Sequence, residues 1–236
     1  MSSQDVRLGI ERDLKRYRAL RRHHDEYSLF NSQLSMLQSF QQKIMKNTYD
    51  HLVEDVHHLN LIGFFLKEMY AGLDLSRLGG NMDRAINLSV KLVSDPSLIA
   101  VSLEFNALAG ELDEILTAVL FENMRVLEIT YDNYCEANRL ADTYNMKARQ
   151  IELINLMSRD LDSNSKNTLM FNTFKLAKTP AKFGGVGDLY DVLAKGFEVV
   201  RKVESPEKLI ALLMQREKKL LNEMFYVEDV AYATTS

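Results

Sequence analysis

The stretch that decides the fold runs from residue 10 to residue 73 and begins IERDLKRYRALRRHHDEYSLFNSQLSMLQSFQQKI. Apolar side chains recur along it in steps of three and four, and eighteen steps cover 63 residues, or 3.5 residues per step. Between residues 11 and 57 this stripe places 11 apolar side chains in 13 positions, whereas the other 34 positions hold 6. The stripe begins with Ile10, Leu14, Tyr17, Leu20, His24, Tyr27, Phe30, Leu34, Leu37, Phe40 and Ile44. Such a narrow seam is typical of long helices that pack on a partner helix, as in a coiled coil or an antiparallel hairpin.

The composition points the same way. Hydrophobic residues make up 46% of the 236, which is ample for a packed core, and only 3 prolines and 10 glycines interrupt the chain. An all-β protein of this length would need a turn signal every 8 to 12 residues or so. We therefore predict an all-α fold, an elongated helical bundle with long, coiled-coil-like amphipathic helices.

Turn signals divide the predicted bundle. One proline and three glycines fall between residues 179 and 187, which predicts a loop there. The predicted units are a long-helix bundle over 1–178, the loop over 179–187, and a C-terminal helical hairpin over 188–236 that packs on the bundle. Inside the first unit we predict one continuous long helix that begins at Asp95 and Pro96 and ends at the polar cluster 162–165.

Several observations bear on location. The single cysteine cannot form an internal disulfide, and Met1 is not followed by a basic segment leading into an apolar one. The longest charge-free stretches, such as residues 59–66, are far shorter than the roughly 20 residues that cross a bilayer. We therefore expect no transmembrane segment and a location in the cytoplasm or inside a virion.

The N-terminal helix is the most suggestive surface. Seven basic residues stand against three acidic ones before residue 23, a net charge of +4, although the whole chain carries -4. The predicted partner-binding residues are Arg7, Arg12, Lys15, Arg16, Arg18, Arg21 and Arg22. Such charge can engage nucleic-acid phosphates, an anionic membrane surface or an acidic partner. It is equally typical of the solvated flank of a coiled coil, and an acidic helix from Glu104 to Glu128 offers a complementary face in the same molecule or in a neighbour.

No pattern in the sequence predicts a catalytic residue, a cofactor or a metal. Glu54 and His57 have the Glu-x-x-His spacing of a di-iron bundle, but that site needs a second such pair, and the 236 residues contain none. The glycines at 184, 185 and 187 lack the Gly-Lys-Ser/Thr of a phosphate-binding loop. Cys135 has no histidine in its half of the chain, so we interpret it as a structural cysteine.

Three functional hypotheses remain. The leading one is a non-enzymatic structural or assembly protein that presents helical surfaces to other subunits of a large complex, such as a phage particle or a secretion or conjugation apparatus. Those subunits are further copies of this chain or different proteins. The alternative is a nucleic-acid-binding accessory factor that uses the basic N-terminal helix, with Tyr17 and Tyr27 available for stacking. The third is an enzyme in a helical bundle, with Glu54 and His57 as metal ligands or acid–base groups.

Overall fold

The computed structural model describes residues 3–26, 28–49, 55–64, 97–166, 175, 178–183, 187–204 and 206–226. Throughout these ranges the regular structure is helical and no strand occurs, which confirms the all-α prediction. In chain order the helices are α1 (Ser3–Glu26), α2 (Ser28–Tyr49), α3 (Val56–Phe64), α4 (Ser97–Ala118), a π-helical turn (Val119–Asn123), α5 (Tyr131–Leu140), α6 (Tyr144–Lys166), α7 (Lys178–Phe183), α8 (Gly187–Val200) and α9 (Pro206–Phe225).

Helix α4 lies at the centre of the bundle, in contact with α1, α2 and α6. Several of its apolar side chains are buried, and Phe105 and Leu116 have no exposed surface. Helices α1 and α4 approach closely at Gly110. A Cβ atom added to this glycine would lie 2.8 Å from Cδ1 of Leu20. Glycine at residue 110 therefore leaves room for the side chain of α1.

The first part of the predicted stripe is buried inside the chain. Ile10, Leu14, Tyr17 and Leu20 are at most 8% exposed, and α1 packs along α4. Each such side chain contributes roughly 1.5–3 kcal/mol when it leaves water. The partner that the seam of α1 requires is thus supplied by the same molecule.

The predicted continuous helix from residue 95 to the polar cluster 162–165 is wrong in the structure. The chain leaves the helical path after the π-helical turn and again at residues 141–143, where Arg125 and Asp142 adopt φ angles of 55° and 49°. Thr130 caps the N-terminus of α5 through a capping box, in which the Asn133 side chain also accepts the Thr130 N–H at 2.9 Å. Local cap chemistry therefore overrides the apolar period.

Helix α6 also continues through the polar cluster that was predicted to end it, and its last residue is Lys166. Serine and asparagine lower helix stability by only a few tenths of a kcal/mol each, and that is too little to end a packed helix by itself.

Side chains of α5 bind the neighbouring elements. Arg139, for example, donates from Nη1 to the main-chain carbonyl of Met224, 2.6 Å away at the end of α9.

The predicted loop over 179–187 is wrong in part, since it contains most of α7, and α8 begins at Gly187. Pro180 is the third residue of α7, where a backbone N–H has no partner within the helix, so proline is tolerated. Helices α8 and α9 both pack on α6. The predicted division into two units stays a prediction.

Some predicted features lie outside the described residues: Glu54, the helix start at Asp95 and Pro96, and Gly184 and Gly185. In the part of the chain that the structure describes, no helix combines the length and the apolar character that crossing a membrane requires.

Candidate interaction surfaces and an interior cavity

The basic face of α1 is tied to acidic groups of the same chain. Arg16 donates two hydrogen bonds to the carboxylate of Glu111 on α4, and the Nε–Oε1 distance is 2.7 Å. The Nη1 atom of Arg16 also donates to Asp13 at 2.8 Å. Arg12 also makes a bidentate pair, with Asp13, and the side chain of Asp13 is almost completely buried. The hydrogen bond to Glu111 is the largest cause of the raised pKa of Arg16. The predicted pairing of α1 with the acidic helix therefore occurs within one molecule.

The other predicted partner-binding residues have varied surroundings. Arg7 is exposed and pairs with Glu11, with Nε and Oε1 3.1 Å apart. Lys15 is exposed and Arg18 is half-buried, whereas the side chains of Arg21 and Arg22 lie outside the described part of the structure. The structure brings Arg12 and Arg16 together at Asp13, and Arg16 also reaches Glu111 of α4.

Three acidic residues of α4 each reach a different neighbouring helix. Glu104 receives two hydrogen bonds from Arg149 of α6, at 2.8 and 3.0 Å. Glu111 is bound to α1, and Asp113 accepts hydrogen bonds from Gln38 and Gln41 of α2 at 3.0 and 3.1 Å. These carboxylates thus hold the bundle together.

A cavity of about 100 Å³ lies between α2, α4, α5, α6 and α9. Its wall is mostly apolar, but each of these five helices also contributes at least one charged or polar side chain. The polar and charged lining residues are Gln41, Thr48, Asp113, Tyr131, Tyr134, Lys147, Gln150 and Glu217. Tyr131 lines the cavity and is 44% exposed, so the wall at Tyr131 also faces solvent. An amphipathic pocket with a few polar groups is the common form of a small-molecule site.

The charged groups of the cavity differ in how they are satisfied. Lys147 donates from Nζ to the hydroxyl of Tyr134 at 3.1 Å and lies 5.4 Å from the centre of that ring. Burial raises the pKa of Asp113, an effect that the amides of Gln38 and Gln41 partly offset. Burial raises the pKa of Glu217 to about 7, and no hydrogen bond or charge from the described residues counteracts it, although the residue keeps part of its surface exposed.

A second surface feature lies on α2. We define the α2 face as Leu29, Ser32, Ser35, Met36 and Ser39. Leu29 and Met36 are seven residues apart and 71% and 44% exposed, so they share one outward side of the helix. A groove runs along this face to Ile129. Leu127, two residues before Ile129, is 94% exposed.

The candidate chemical sites find no support in the geometry. His57 is exposed, Glu54 lies outside the described residues, and His58 pairs with Asp55 through a 2.8 Å contact. Within the described ranges no three metal-binding side chains come together. Cys135 is buried, and burial is the largest cause of its raised pKa, so the thiol form is favoured over the reactive thiolate.

Sequence reasoning missed the cavity, although α9 carried a signal of it. Leu213, Glu217, Leu221 and Met224 follow one another at helical spacing, so Glu217 occupies a core-facing position in an apolar stripe. An acidic residue at such a position points to an interior polar site. Its neighbours in the cavity come from helices far apart in the sequence, and no local pattern reveals them.

Fold and surfaces together define an all-α bundle with ion pairs between its helices and an exposed α2 face that carries Leu29 and Met36 among serines. The family model described as a domain of unknown function (DUF8198) matches residues 19–230, and the chain belongs to this family. No curated protein and no solved structure matches the chain.

Proposed function

We propose that this protein is a non-enzymatic structural or assembly protein whose α2 face docks on another subunit of a larger complex. The observation that supports this is the exposure of Leu29 and Met36 to solvent, at 71% and 44%, on one side of α2. Large apolar side chains grouped on a folded surface are typical of protein interaction sites. The complex would be a phage particle, or a secretion or conjugation apparatus, in the cytoplasm or in a virion.

The α1 helix is already engaged within the bundle, which favours α2 as the docking surface. The seam of α1 is buried against α4, and the arginines Arg12 and Arg16 already bind carboxylates of this chain. The seven-residue spacing of Leu29 and Met36 fits a helix of the partner, packed in the manner of a coiled coil. In this proposal the bundle is elongated and the partner is a second copy of the chain, so that the subunit forms a homo-oligomer.

Light scattering of the purified protein at several concentrations tests the proposal. A mass that rises above the 27.1 kDa of one chain is expected, because the α2 faces associate. The double variant Leu29→Lys and Met36→Lys should remain a monomer. Leu212→Lys is the matched control, since Leu212 is 43% exposed and belongs to a different helix, α9. A wild-type protein that stays monomeric at every concentration would refute self-assembly.

Nucleic-acid binding through α1 receives less support. Two of its arginines are occupied by Asp13 and Glu111, which leaves less free charge for phosphates than the sequence suggested. A protein of this class binds DNA with an affinity that falls steeply with salt. Fluorescence anisotropy with single-stranded and duplex DNA at low salt would exclude the hypothesis if no binding occurs.

A further inference from the structure

The interior cavity contains an unequal number of positive and negative groups. Two carboxyl groups, Asp113 and Glu217, face it together with one ammonium group, Lys147. Lys147 is already held by Tyr134, and Asp113 by the amides of Gln38 and Gln41. Glu217 makes no hydrogen bond or ion pair with the described part of the chain. When all three groups are ionised, one negative charge is left over, and it sits on Glu217.

We propose that this cavity binds a small organic ammonium ion, whose charged nitrogen lies against the carboxylate of Glu217. A buried charge is costly unless an opposite charge or hydrogen bonds compensate it, and a cation in the cavity supplies both. This site is separate from the α2 face and does not depend on the proposed assembly function.

The walls suit such a ligand. Leu112, Ile151 and Leu221 provide apolar surface for a short hydrocarbon chain, and Tyr131 and Tyr134 add aromatic rings that attract cations. The volume of about 100 Å³ lies between the roughly 30 Å³ of one water molecule and the roughly 150 Å³ of a cavity that holds benzene. A ligand of a few non-hydrogen atoms is therefore expected.

A proton competes with the ligand for Glu217. Its pKa of about 7 shows that the carboxyl group takes up a proton near neutrality when nothing else neutralises it. The other titratable groups facing the cavity are Asp113 from α4, Lys147 from α6, and Tyr131 and Tyr134 from α5, whereas α2 contributes only neutral side chains. Affinity for the cation should therefore rise with pH through about 7.

Titration of the full-length protein with n-propylammonium chloride, followed by methionine-methyl NMR, tests the proposal. Met45 and Met224 line the cavity, so their signals should shift in a saturable way at about pH 8. Met36 lies on the α2 face and serves as the internal reference. At about pH 5 the affinity should be lower by at least about tenfold, since most Glu217 is then protonated. 1-Propanol, which has nearly the same shape but no charge, should bind at least about tenfold more weakly.

Two variants complete the experiment. Glu217→Gln should weaken binding of n-propylammonium by at least about tenfold, because it removes the charge and keeps the shape. Glu223→Gln is the matched control, since Glu223 lies on the same helix, is half exposed and faces Lys219. The proposal is overturned if the Met45 and Met224 signals do not respond at about pH 8, if Glu217→Gln binds as the wild type does, or if 1-propanol binds equally well. The pH dependence in the wild type gives a second test that needs no variant.

Discussion

Replacing Glu217 by glutamine should make the protein more stable at alkaline pH and leave it unchanged at acidic pH. The carboxyl group lines the interior cavity without a hydrogen bond or an ion pair to any described residue, and burial raises its pKa from the usual 4.5 to about 7. Glutamine has nearly the same shape but stays neutral at every pH. It therefore imitates the protonated form of Glu217.

The sign and size of the effect follow from proton linkage. Between pH 4.5 and about 7 the folded chain keeps the Glu217 proton and the unfolded chain has lost it, so stability falls as pH rises. The stabilising contribution is complete below about pH 4.5 and is lost as pH passes through 7. At 1.36 kcal/mol per pH unit the full loss is roughly 3 kcal/mol. For a chain of this length that corresponds to a Tm difference of roughly 6–12 °C.

Urea unfolding of wild type and Glu217→Gln at about pH 4.5 and about pH 8 measures this difference. The free energies of unfolding should agree at the lower pH, and the variant should exceed the wild type by roughly 3 kcal/mol at the higher one. Glu223→Gln, on the exposed side of the same helix, should show no such divergence. Parallel pH profiles for wild type and Glu217→Gln would refute the reasoning, because they would mean that Glu217 is solvated in the folded state.

Three further predictions concern the packing of the bundle. In a double-mutant cycle, Arg16→Met and Glu111→Gln should show a coupling of about 1 kcal/mol that shrinks with added salt, because both side chains are 30% exposed; additive effects would contradict the pairing. In urea unfolding, Leu37→Ala should lose about 2–5 kcal/mol because Leu37 is fully buried, whereas Met36→Ala should change stability by less than roughly 0.5 kcal/mol. Thr143→Val should cost about 1–3 kcal/mol, since it removes the hydroxyl that donates to a buried amide oxygen at the end of α5, and hydrogen exchange should then rise in the α5–α6 turn.

The sequence predicts the helical class well because a 3.5-residue stripe is a local property. Ile10 and Leu14 face inward as the stripe requires, and the pairing of basic α1 with acidic α4 follows from complementary charge. The helix breaks after Asn123 and at Asp142 could not be predicted from the apolar spacing. They depend on a capping box and on left-handed backbone angles, which the continuing apolar spacing hides.

The candidate sites were harder to predict. The excess of basic residues before residue 23 can be counted from the sequence, but charge counting does not show that Asp13 and Glu111 already pair with Arg12 and Arg16. The cavity combines residues as distant as Gln41 and Glu217, so its existence depends on tertiary packing. Only the misplaced acidic residue in the apolar stripe of α9 was visible beforehand.

Glu217 differs from three acids of α4 in the contacts that it makes. Glu104, Glu111 and Asp113 each bind a different helix, and each thereby contributes to the arrangement of the bundle. Glu217 makes no such contact with the described residues, and its raised pKa predicts a less stable folded chain above neutral pH. Glutamine or leucine would fill the position without that cost. An unpartnered carboxylate in a cavity is therefore better explained by a cationic ligand that compensates it than by packing.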